Sequence, residues 1–96
     1  MRARLHPEAE QELAEAREWY AVRSEVAAQA FSLEISRAIE RIIEAPRRYP
    51  LGRRGERRFV LDRFPYTILY RVREEDIFIT AVAHHSRRPD YWRDRR

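Results

Sequence analysis

Two adjacent histidines near the C-terminus, His84 and His85, are the side chains best suited to moving protons at neutral pH. An ordinary pKa of about 6.5 lets an imidazole act as either acid or base. The cations of Arg58, Arg71 and Arg87 could stabilise the negative charge that develops on phosphorus when a ribose 2′-hydroxyl attacks a phosphodiester. Metal-free RNA cleavage requires a base, an acid and such cations. These five residues are therefore the catalytic candidates if the chain is a nuclease.

A wider set of residues is suited to binding a partner rather than to catalysis. Arginine presents a planar fork of donors that matches phosphate and carboxylate groups, and tyrosine and tryptophan anchor interfaces. The candidate target-binding residues are Arg57, Arg58, Arg71, Arg87, Arg88, Tyr91 and Trp92. The alternative is structural. In that case the strand arginines are solvated and pair with the acidic run at residues 74–76, and the aromatic pair folds back on the sheet.

The composition excludes several kinds of site. The chain has 96 residues, no cysteine and three histidines. Disulfides, thiolate metal sites and cysteine nucleophiles are therefore excluded, and three histidines without helical i, i+4 spacing do not predict a metal site. We expect no metal and no cofactor. No apolar run approaches the ~20 residues of a membrane span, and the N-terminus lacks a signal-peptide core, so we expect a cytoplasmic protein with no membrane partner.

The charge is unevenly distributed along the chain. All 20 basic residues are arginine, and the formal net charge is +4. Residues 8–44 hold nine glutamates against four arginines, a net of −5. Residues 45–73 hold nine arginines against two acidic residues, a net of +7. This polarity predicts a surface with one basic side, which would attract an anionic partner.

Hydrophobic periodicity predicts two helices joined by a very short turn. The first begins at Pro7 and runs to about Arg23, with Ser24 as the N-cap of the second, which runs to about residue 45. The apolar stripes, spaced by three or four residues, are Ala9, Leu13, Ala16 and Tyr20 in the first helix and Ala27, Phe31, Ile35, Ala38 and Ile42 in the second. The short connection predicts an antiparallel hairpin.

A two-residue period predicts strands in the remainder of the chain. The expected strands are residues 2–5, 57–62, 66–73 and 77–83, with an arginine-rich loop at 46–56 and a basic C-terminal tail at 84–96. Short turns make the last three strands an antiparallel meander. The fold class is therefore α+β, a single domain over residues 1–96 with the helical hairpin packed on one sheet face and arginines on the other.

Several motifs in order along the chain resemble the RelE/ParE toxin superfamily. The N-terminal and middle motifs are His6-Pro7-Glu8-Ala9, Trp19-Tyr20, Pro46-Arg47-Arg48-Tyr49-Pro50, Arg57-Arg58, Arg63-Phe64-Pro65-Tyr66 and Tyr70-Arg71-Val72. The last motif is His84-His85-Ser86-Arg87-Arg88-Pro89-Asp90-Tyr91-Trp92. The resemblance is to ParE-like plasmid stabilisation toxins of type II toxin–antitoxin systems. It implies growth arrest by the toxin and a cognate antitoxin that binds the chain in a hetero-oligomer, although the sequence does not identify the antitoxin-contact residues.

The resemblance leaves the target open between two branches. ParE-like members inhibit DNA gyrase, whereas RelE-like members are ribosome-dependent mRNA endoribonucleases. RelE-like nucleases place an arginine at the position of Thr67, which cannot supply that cation. We therefore favour a gyrase inhibitor without catalytic activity. The alternatives are the endoribonuclease, with ribosome and mRNA as partners, and a non-toxic basic domain that binds nucleic acid.

Overall fold

The computed structural model describes all 96 residues. In chain order the elements are β1 (Arg2–Leu5), α1 (Pro7–Ala21), α2 (Glu25–Glu44), β2 (Arg57–Val60), β3 (Tyr66–Arg73) and β4 (Asp76–His84). The predicted α+β fold with a helical hairpin and a three-stranded meander is confirmed. The tail was predicted to begin at residue 84, but β4 extends through His84, so the tail begins one residue later. Residues 85–96 are called the C-terminal segment below.

Both helices begin where the capping residues predict. The His6 imidazole accepts a hydrogen bond from the backbone N–H of Glu8 at 3.0 Å, and Pro7 occupies the first turn of α1. The Ser24 hydroxyl accepts from the backbone N–H of Ala27 at 3.2 Å and caps α2. α1 ends at Ala21, two residues before the predicted end. The prediction is wrong there because the capping geometry of Ser24 needs extended backbone.

The apolar stripe of α2 faces the sheet. The buried positions of this helix are Ala28, Phe31, Ile35, Ala38 and Ile42. The first of these corrects the prediction, which placed Ala27 on the stripe: Ala27 lies at the edge of the contact and is half-buried. Phe31 packs in an aromatic cluster, with ring centroids 5.3 Å from Tyr20, Phe64 and Tyr66 alike. This cluster joins both helices to the start of β3.

The four strands form one mixed sheet in the order β1-β4-β3-β2. β1 runs parallel to β4 and pairs only with its first half, from Arg2 opposite Asp76 to Leu5 opposite Ile79. β3 pairs antiparallel with β2 on one side and with β4 on the other. The second half of β4 therefore has no strand on its β1 side, a gap that matters for the site described below.

A bulge in β4 changes which residues face the helices. The register passes from Tyr70 opposite Ile79 to Leu69 opposite Ala81, which leaves Thr80 as the extra residue. Before the bulge, Ile77 and Ile79 are in the helix-side core; after it, the even-numbered residue Val82 is. The strict two-residue period expected of this strand is therefore interrupted. The opposite sheet face, called the outer face below, receives Ala81 instead.

The loop between α2 and β2 is tied to the core. The Tyr70 hydroxyl donates to the carbonyl of Pro46 at 2.7 Å, and burial raises the pKa of this hydroxyl to about 12. β2 ends at Val60, two residues earlier than predicted, because Glu34 of α2 binds the backbone N–H groups of Asp62 and Arg63 and turns the chain there. None of the helices is long and apolar enough to cross a membrane.

Candidate functional site

The outer face of the sheet carries an arginine beside small and apolar residues. Arg58 lies opposite Leu69, Leu69 opposite Ala81, and Thr67 opposite Ala83 in the strand register. Because side chains alternate between the two faces of a strand, these five residues share the face that the helices leave uncovered. The expected placement of arginine on this face is confirmed for Arg58. The centre of the face is nevertheless apolar.

The C-terminal segment folds back over this face. Trp92 is only 9% exposed and packs against Leu69 and Ala81 in a small apolar cluster on which Tyr91 and Ala83 also lie. Backbone hydrogen bonds between residues three apart make the segment a series of turns, from Arg87 to His84 through Arg95 to Trp92. The aromatic pair thus fits the structural alternative considered for it. Trp92 presents little surface to a partner, and its role in target binding stays a prediction.

A carboxylate from α1 fixes the far end of this segment. The Glu12 side chain is 10% exposed and accepts four hydrogen bonds. The donors are the backbone N–H of Val82 at 3.0 Å, the Tyr91 hydroxyl at 2.6 Å, and two nitrogens of Arg95, each at 2.9 Å. Arg95 also donates to the carbonyl of Thr80 at 3.2 Å. This set of contacts joins the first helix, the bulged strand and the chain end.

The protonation equilibria of this cluster reflect its hydrogen bonds. Burial alone would raise the pKa of Glu12, but the bonds from Arg95, Tyr91 and Val82 outweigh it and leave that pKa below its ordinary value. Burial, together with the bond to Glu12, raises the pKa of the Tyr91 hydroxyl far above its ordinary range. Arg95 stays charged because Glu12 more than offsets the burial that would lower its pKa. The cluster is an ion pair at neutral pH.

Two guanidinium groups lie against the Tyr91 ring. The Arg87 guanidinium carbon is 3.8 Å from the ring centroid, and that of Arg95 is 5.1 Å away. Arg87 also lies 3.7 Å from the Glu12 carboxylate. Cation–π contacts of this kind order an arginine without neutralising it. Arg87 is consequently held in place while its side chain stays half exposed.

The two histidines point to different places. The Thr67 hydroxyl and Nε2 of His85 are 3.1 Å apart on the outer face. His84 lies on the helix side, where its ring meets that of Tyr66 edge-on at a centroid distance of 5.0 Å. Its Nδ1 accepts the backbone N–H of Ser86 at 3.0 Å. The adjacent pair therefore does not form one acid–base couple.

Most of the predicted site residues do come together. A shallow depression of about 240 Å³ on the outer face is lined by Arg58, His85, Arg87, Arg88, Tyr91 and Trp92 among others. A neighbouring depression of about 430 Å³ adds Arg53 and Arg54. The two share Arg58 and Trp92 as a common wall. The result is a continuous basic surface, as the charge distribution predicted.

Arg57 and Arg71 do not line the shared depression. Arg57 donates to the backbone carbonyls of Arg47 at 3.1 Å and of residue 49 at 2.8 Å, so it holds the loop before β2. Arg71 donates from Nε to the carboxylate of Glu56, which is 1% exposed. The predicted pairing of Arg71 with the acidic run at residues 74–76 is not the one observed. Both arginines remain predicted contacts for a target that the structure does not contain.

Sequence reasoning missed three charged residues that organise this site, namely Glu12, Glu56 and Arg95. A signal for Glu12 was present, because it follows the buried Ala9 by three positions and precedes the buried Ala16 by four. A carboxylate at that spacing lies on the stripe that faces the sheet. The other two give no local signal, because their partners are far away in the chain. No group of three or more histidine or acidic side chains is arranged to hold a metal ion.

Comparison with known proteins decides the family. The family model described as the ParE toxin of the type II toxin–antitoxin system parDE matches residues 3–89. The chain belongs to this family. This match confirms the resemblance of the sequence motifs to ParE-like toxins. No curated protein sequence matches the chain.

A solved structure shares the fold. One chain of the structure described as "Chromosomal ParDE TA system from P. aeruginosa" superposes with a TM-score of 0.74. The alignment covers 88% of this chain and 95% of that one, at 20% sequence identity. At this identity the likeness concerns the fold alone. The two chains therefore share one architecture.

Proposed function

We propose that residues 1–96 act as one toxin domain that inhibits DNA gyrase by binding it as a protein ligand, and that a cognate antitoxin neutralises it. Membership in the ParE toxin family supports the toxin part of this proposal. The observation that carries the choice of target is the environment of Thr67. Gyrase acts in the cytoplasm, so the proposal also places the chain there.

Thr67 occupies the middle of the outer face, where the resemblance implies that a RelE-like nuclease has an arginine. Its hydroxyl lies within hydrogen-bond distance of His85 and is uncharged, so Thr67 itself contributes no positive charge to a scissile phosphate. The next arginine of the same strand, Arg71, is paired with the buried Glu56. Because cleavage needs an unneutralised cation at phosphorus, this strand is better suited to binding than to catalysis.

The outer face offers a set of exposed cations carried by the sheet and the C-terminal segment. Arg58, Arg87 and Arg88 are exposed around the depression, and Trp92 of the C-terminal segment is buried against the sheet. Exposed arginines at a rim speed association with an acidic surface and set its orientation. A protein ligand that blocks an enzyme cycle needs no catalytic group. This surface therefore supports inhibition by binding.

The helical hairpin carries apolar side chains that a partner would cover. Val22, Val26 and Leu33 are 68%, 77% and 48% exposed, respectively. Val22 lies in the turn between the helices and the other two lie on α2, and large exposed apolar side chains favour protein contact. The solved structure of similar fold is described as a ParDE toxin–antitoxin system. We therefore propose an antitoxin as the partner of this chain, in a hetero-oligomer.

The test measures DNA and protein synthesis by pulse-labelling just after this chain alone is induced in bacteria. An early fall in DNA synthesis, together with inhibition of supercoiling by purified gyrase, would support the proposal. An early fall in protein synthesis would overturn it. The endoribonuclease alternative, which the shared location of Arg58, His85 and Arg87 favours, would then take its place. Unaffected growth and synthesis would leave the basic nucleic-acid-binding domain as the remaining candidate.

A further inference from the structure

Glu12 differs from every other glutamate of α1. The remaining four, Glu8, Glu10, Glu15 and Glu18, are exposed, whereas Glu12 is almost fully covered. Its carboxylate binds β4 through Val82 and the C-terminal segment through Tyr91 and Arg95. A buried carboxylate is unfavourable unless its oxygens accept several hydrogen bonds from charged or polar donors. Here each oxygen accepts two.

The position of these bonds follows from the incomplete sheet edge. β1 pairs with β4 only as far as Ile79, so the edge of β4 beyond it lacks a neighbouring strand on that side. Glu12 accepts from the free N–H of Val82, and Arg95 donates to the free carbonyl of Thr80. The two side chains, bonded to each other, take the place of a missing strand. The chain end is thereby attached to the edge of the sheet.

At its start, the C-terminal segment is held by His85, which donates its backbone N–H to the carbonyl of Pro65 at 2.9 Å and whose Nε2 lies 3.1 Å from the Thr67 hydroxyl. Few contacts other than those to Glu12 hold the remainder. Trp92 packs on Leu69 and Ala81, and Asp90 forms an exposed ion pair with Arg54 at 3.5 Å. An exposed pair of this kind contributes little to stability. Beyond His85, Glu12 therefore supplies the main polar attachment of the segment. This part of the segment carries most of the exposed cations around the depression.

We propose that Glu12 is a positioning residue for inhibition of the target. Its carboxylate holds the C-terminal segment on the outer face, so that Arg87 and Arg88 of that segment form one surface with Arg58 of the sheet. Glu12 itself touches no target. This inference rests on the proposed function, because it assumes that the outer face binds the target.

The experiment compares Glu12→Gln with the matched control Glu15→Gln, which alters an exposed carboxylate one turn away on the same helix. Both variants are made in a Trp19→Phe background, which leaves Trp92 as the single tryptophan. The position of the segment is measured by the Trp92 emission maximum and by acrylamide quenching. Inhibition is measured as the toxin concentration that halves gyrase supercoiling, and growth arrest is scored in parallel.

For Glu12→Gln we expect red-shifted and readily quenched Trp92 emission. The toxin concentration for half-inhibition should rise about tenfold or more, because the loss of a charged hydrogen bond changes an equilibrium by about that factor. Far-ultraviolet circular dichroism should stay unchanged, and Glu15→Gln should behave as the parent. Release of Trp92 with unchanged inhibition would overturn the inference. Lost inhibition in a folded variant whose Trp92 is still protected would overturn it too.

A double-mutant cycle separates positioning from a general loss of stability. Arg95→Met removes the other half of the ion pair from the segment side and leaves α1 unaltered. If Glu12 acts through the segment, Arg95→Met should reduce inhibition as Glu12→Gln does, and the double variant should lose little more than either single one. Additive losses would contradict the inference. If the parent chain arrests growth without inhibiting gyrase, the proposed target fails, and the same cycle read as growth arrest still tests the role of Glu12.

Discussion

Arg71 of β3 is ion-paired with Glu56, a carboxylate that is 1% exposed and whose second oxygen has no hydrogen-bond partner. Arg71 itself is 23% exposed. The pair therefore lies at the margin of the outer face, with its acidic member inside the protein. A buried charge of this kind depends on its partner for neutralisation. Arg71 has a structural role for that reason, whatever else it contacts.

Arg71→Met should destabilise the fold by about 3 kcal/mol, near the lower end for breaking a buried ion pair because Arg71 is partly solvated. The loss arises from the carboxylate of Glu56, which is left buried without a cation. Urea denaturation followed by circular dichroism gives the change in the free energy of unfolding. Arg73→Met, an exposed position on the same strand, is the matched control and should change that free energy by less than about 0.5 kcal/mol.

The same variant separates the two readings of Arg71. A catalytic cation would be lost without loss of folding, so toxicity would vanish at unchanged stability. If Arg71 has the structural role, Arg71→Met should lower the free energy of unfolding. The double variant Arg71→Met/Glu56→Met should recover much of that loss, because apolar pairs of similar volume often replace buried ion pairs. An unaltered unfolding midpoint for Arg71→Met would contradict the structural reading.

The pKa of Glu12 predicts an acid-sensitive attachment of the C-terminal segment. Because the folded-state pKa lies below the ordinary value of 4.5, the ion pair adds stability in full above that value. This contribution is lost as the pH falls below 4.5 and through the folded pKa. The groups that face Glu12 are the guanidinium groups of Arg87 and Arg95 and the Tyr91 hydroxyl, and the carboxylate of Glu8 lies 3.8 Å from Arg95. Because Glu8 is exposed and makes only this longer contact, we expect release to follow mainly the titration of Glu12.

Trp92 emission in the Trp19→Phe background should report this release as a transition below pH 4.5. In Glu12→Gln the same transition should be absent, because the segment is already detached at neutral pH. Circular dichroism measured in parallel identifies any global acid unfolding. A parent chain whose Trp92 stays protected until the whole fold unfolds would contradict the prediction.

Trp92→Ala should cost about 3 kcal/mol of unfolding free energy, the low end for a buried aromatic residue, because its cluster lies at the surface of the sheet. The substitution exposes Leu69 and Ala81 and leaves the helix-side core unchanged. Trp19→Ala is the comparison, since Trp19 is 52% exposed and meets mainly Arg23 and Tyr20. Calorimetry should show the lower unfolding midpoint for Trp92→Ala. Equal midpoints would mean that the segment contributes no packing.

Much of the fold followed from periodicity, and the reasons for the exceptions are physical. The helices carry their own capping residues, and β3 has the predicted bounds 66–73 because its alternation is regular. The bulge at Thr80 could not be predicted, because it depends on a register set by the neighbouring strand. The sequence of β4 is apolar on both sides of the bulge. A change of face there leaves no trace in the hydrophobic pattern.

The site was predictable in composition but not in arrangement. The basic surface followed from the counts of arginine, and Arg58, His85, Arg87 and Arg88 do line one depression. Which arginines are neutralised depends on acidic partners that are distant in sequence, 83 positions away in the case of Glu12 and Arg95. Local spacing carries no information about such pairs. The two histidines lie on different sides of the sheet, because His84 ends β4 with its ring against Tyr66 and His85 follows it with its ring near Thr67.

Arg88 and Arg87 should differ in how they contribute to target binding. Arg88 is exposed, so Arg88→Ala removes only a surface charge. We expect a fall of about threefold to tenfold in the association rate at low ionic strength, with the difference vanishing at high salt because exposed charges are screened. Arg87 also contacts the Tyr91 ring and lies near Glu12, so Arg87→Ala should increase the dissociation rate as well, at all salt concentrations.

Surface plasmon resonance with immobilised gyrase subunits resolves the two rates. Arg2→Ala is the matched control, because Arg2 is exposed on β1 opposite Asp76, at the end of β4 far from His84, and it should leave both rates near those of the parent. Equal effects of Arg2→Ala and Arg88→Ala would show that net charge, and not the outer face, governs association. A salt-independent loss for Arg88→Ala would instead mean that this arginine is buried in the complex and paired with a target group.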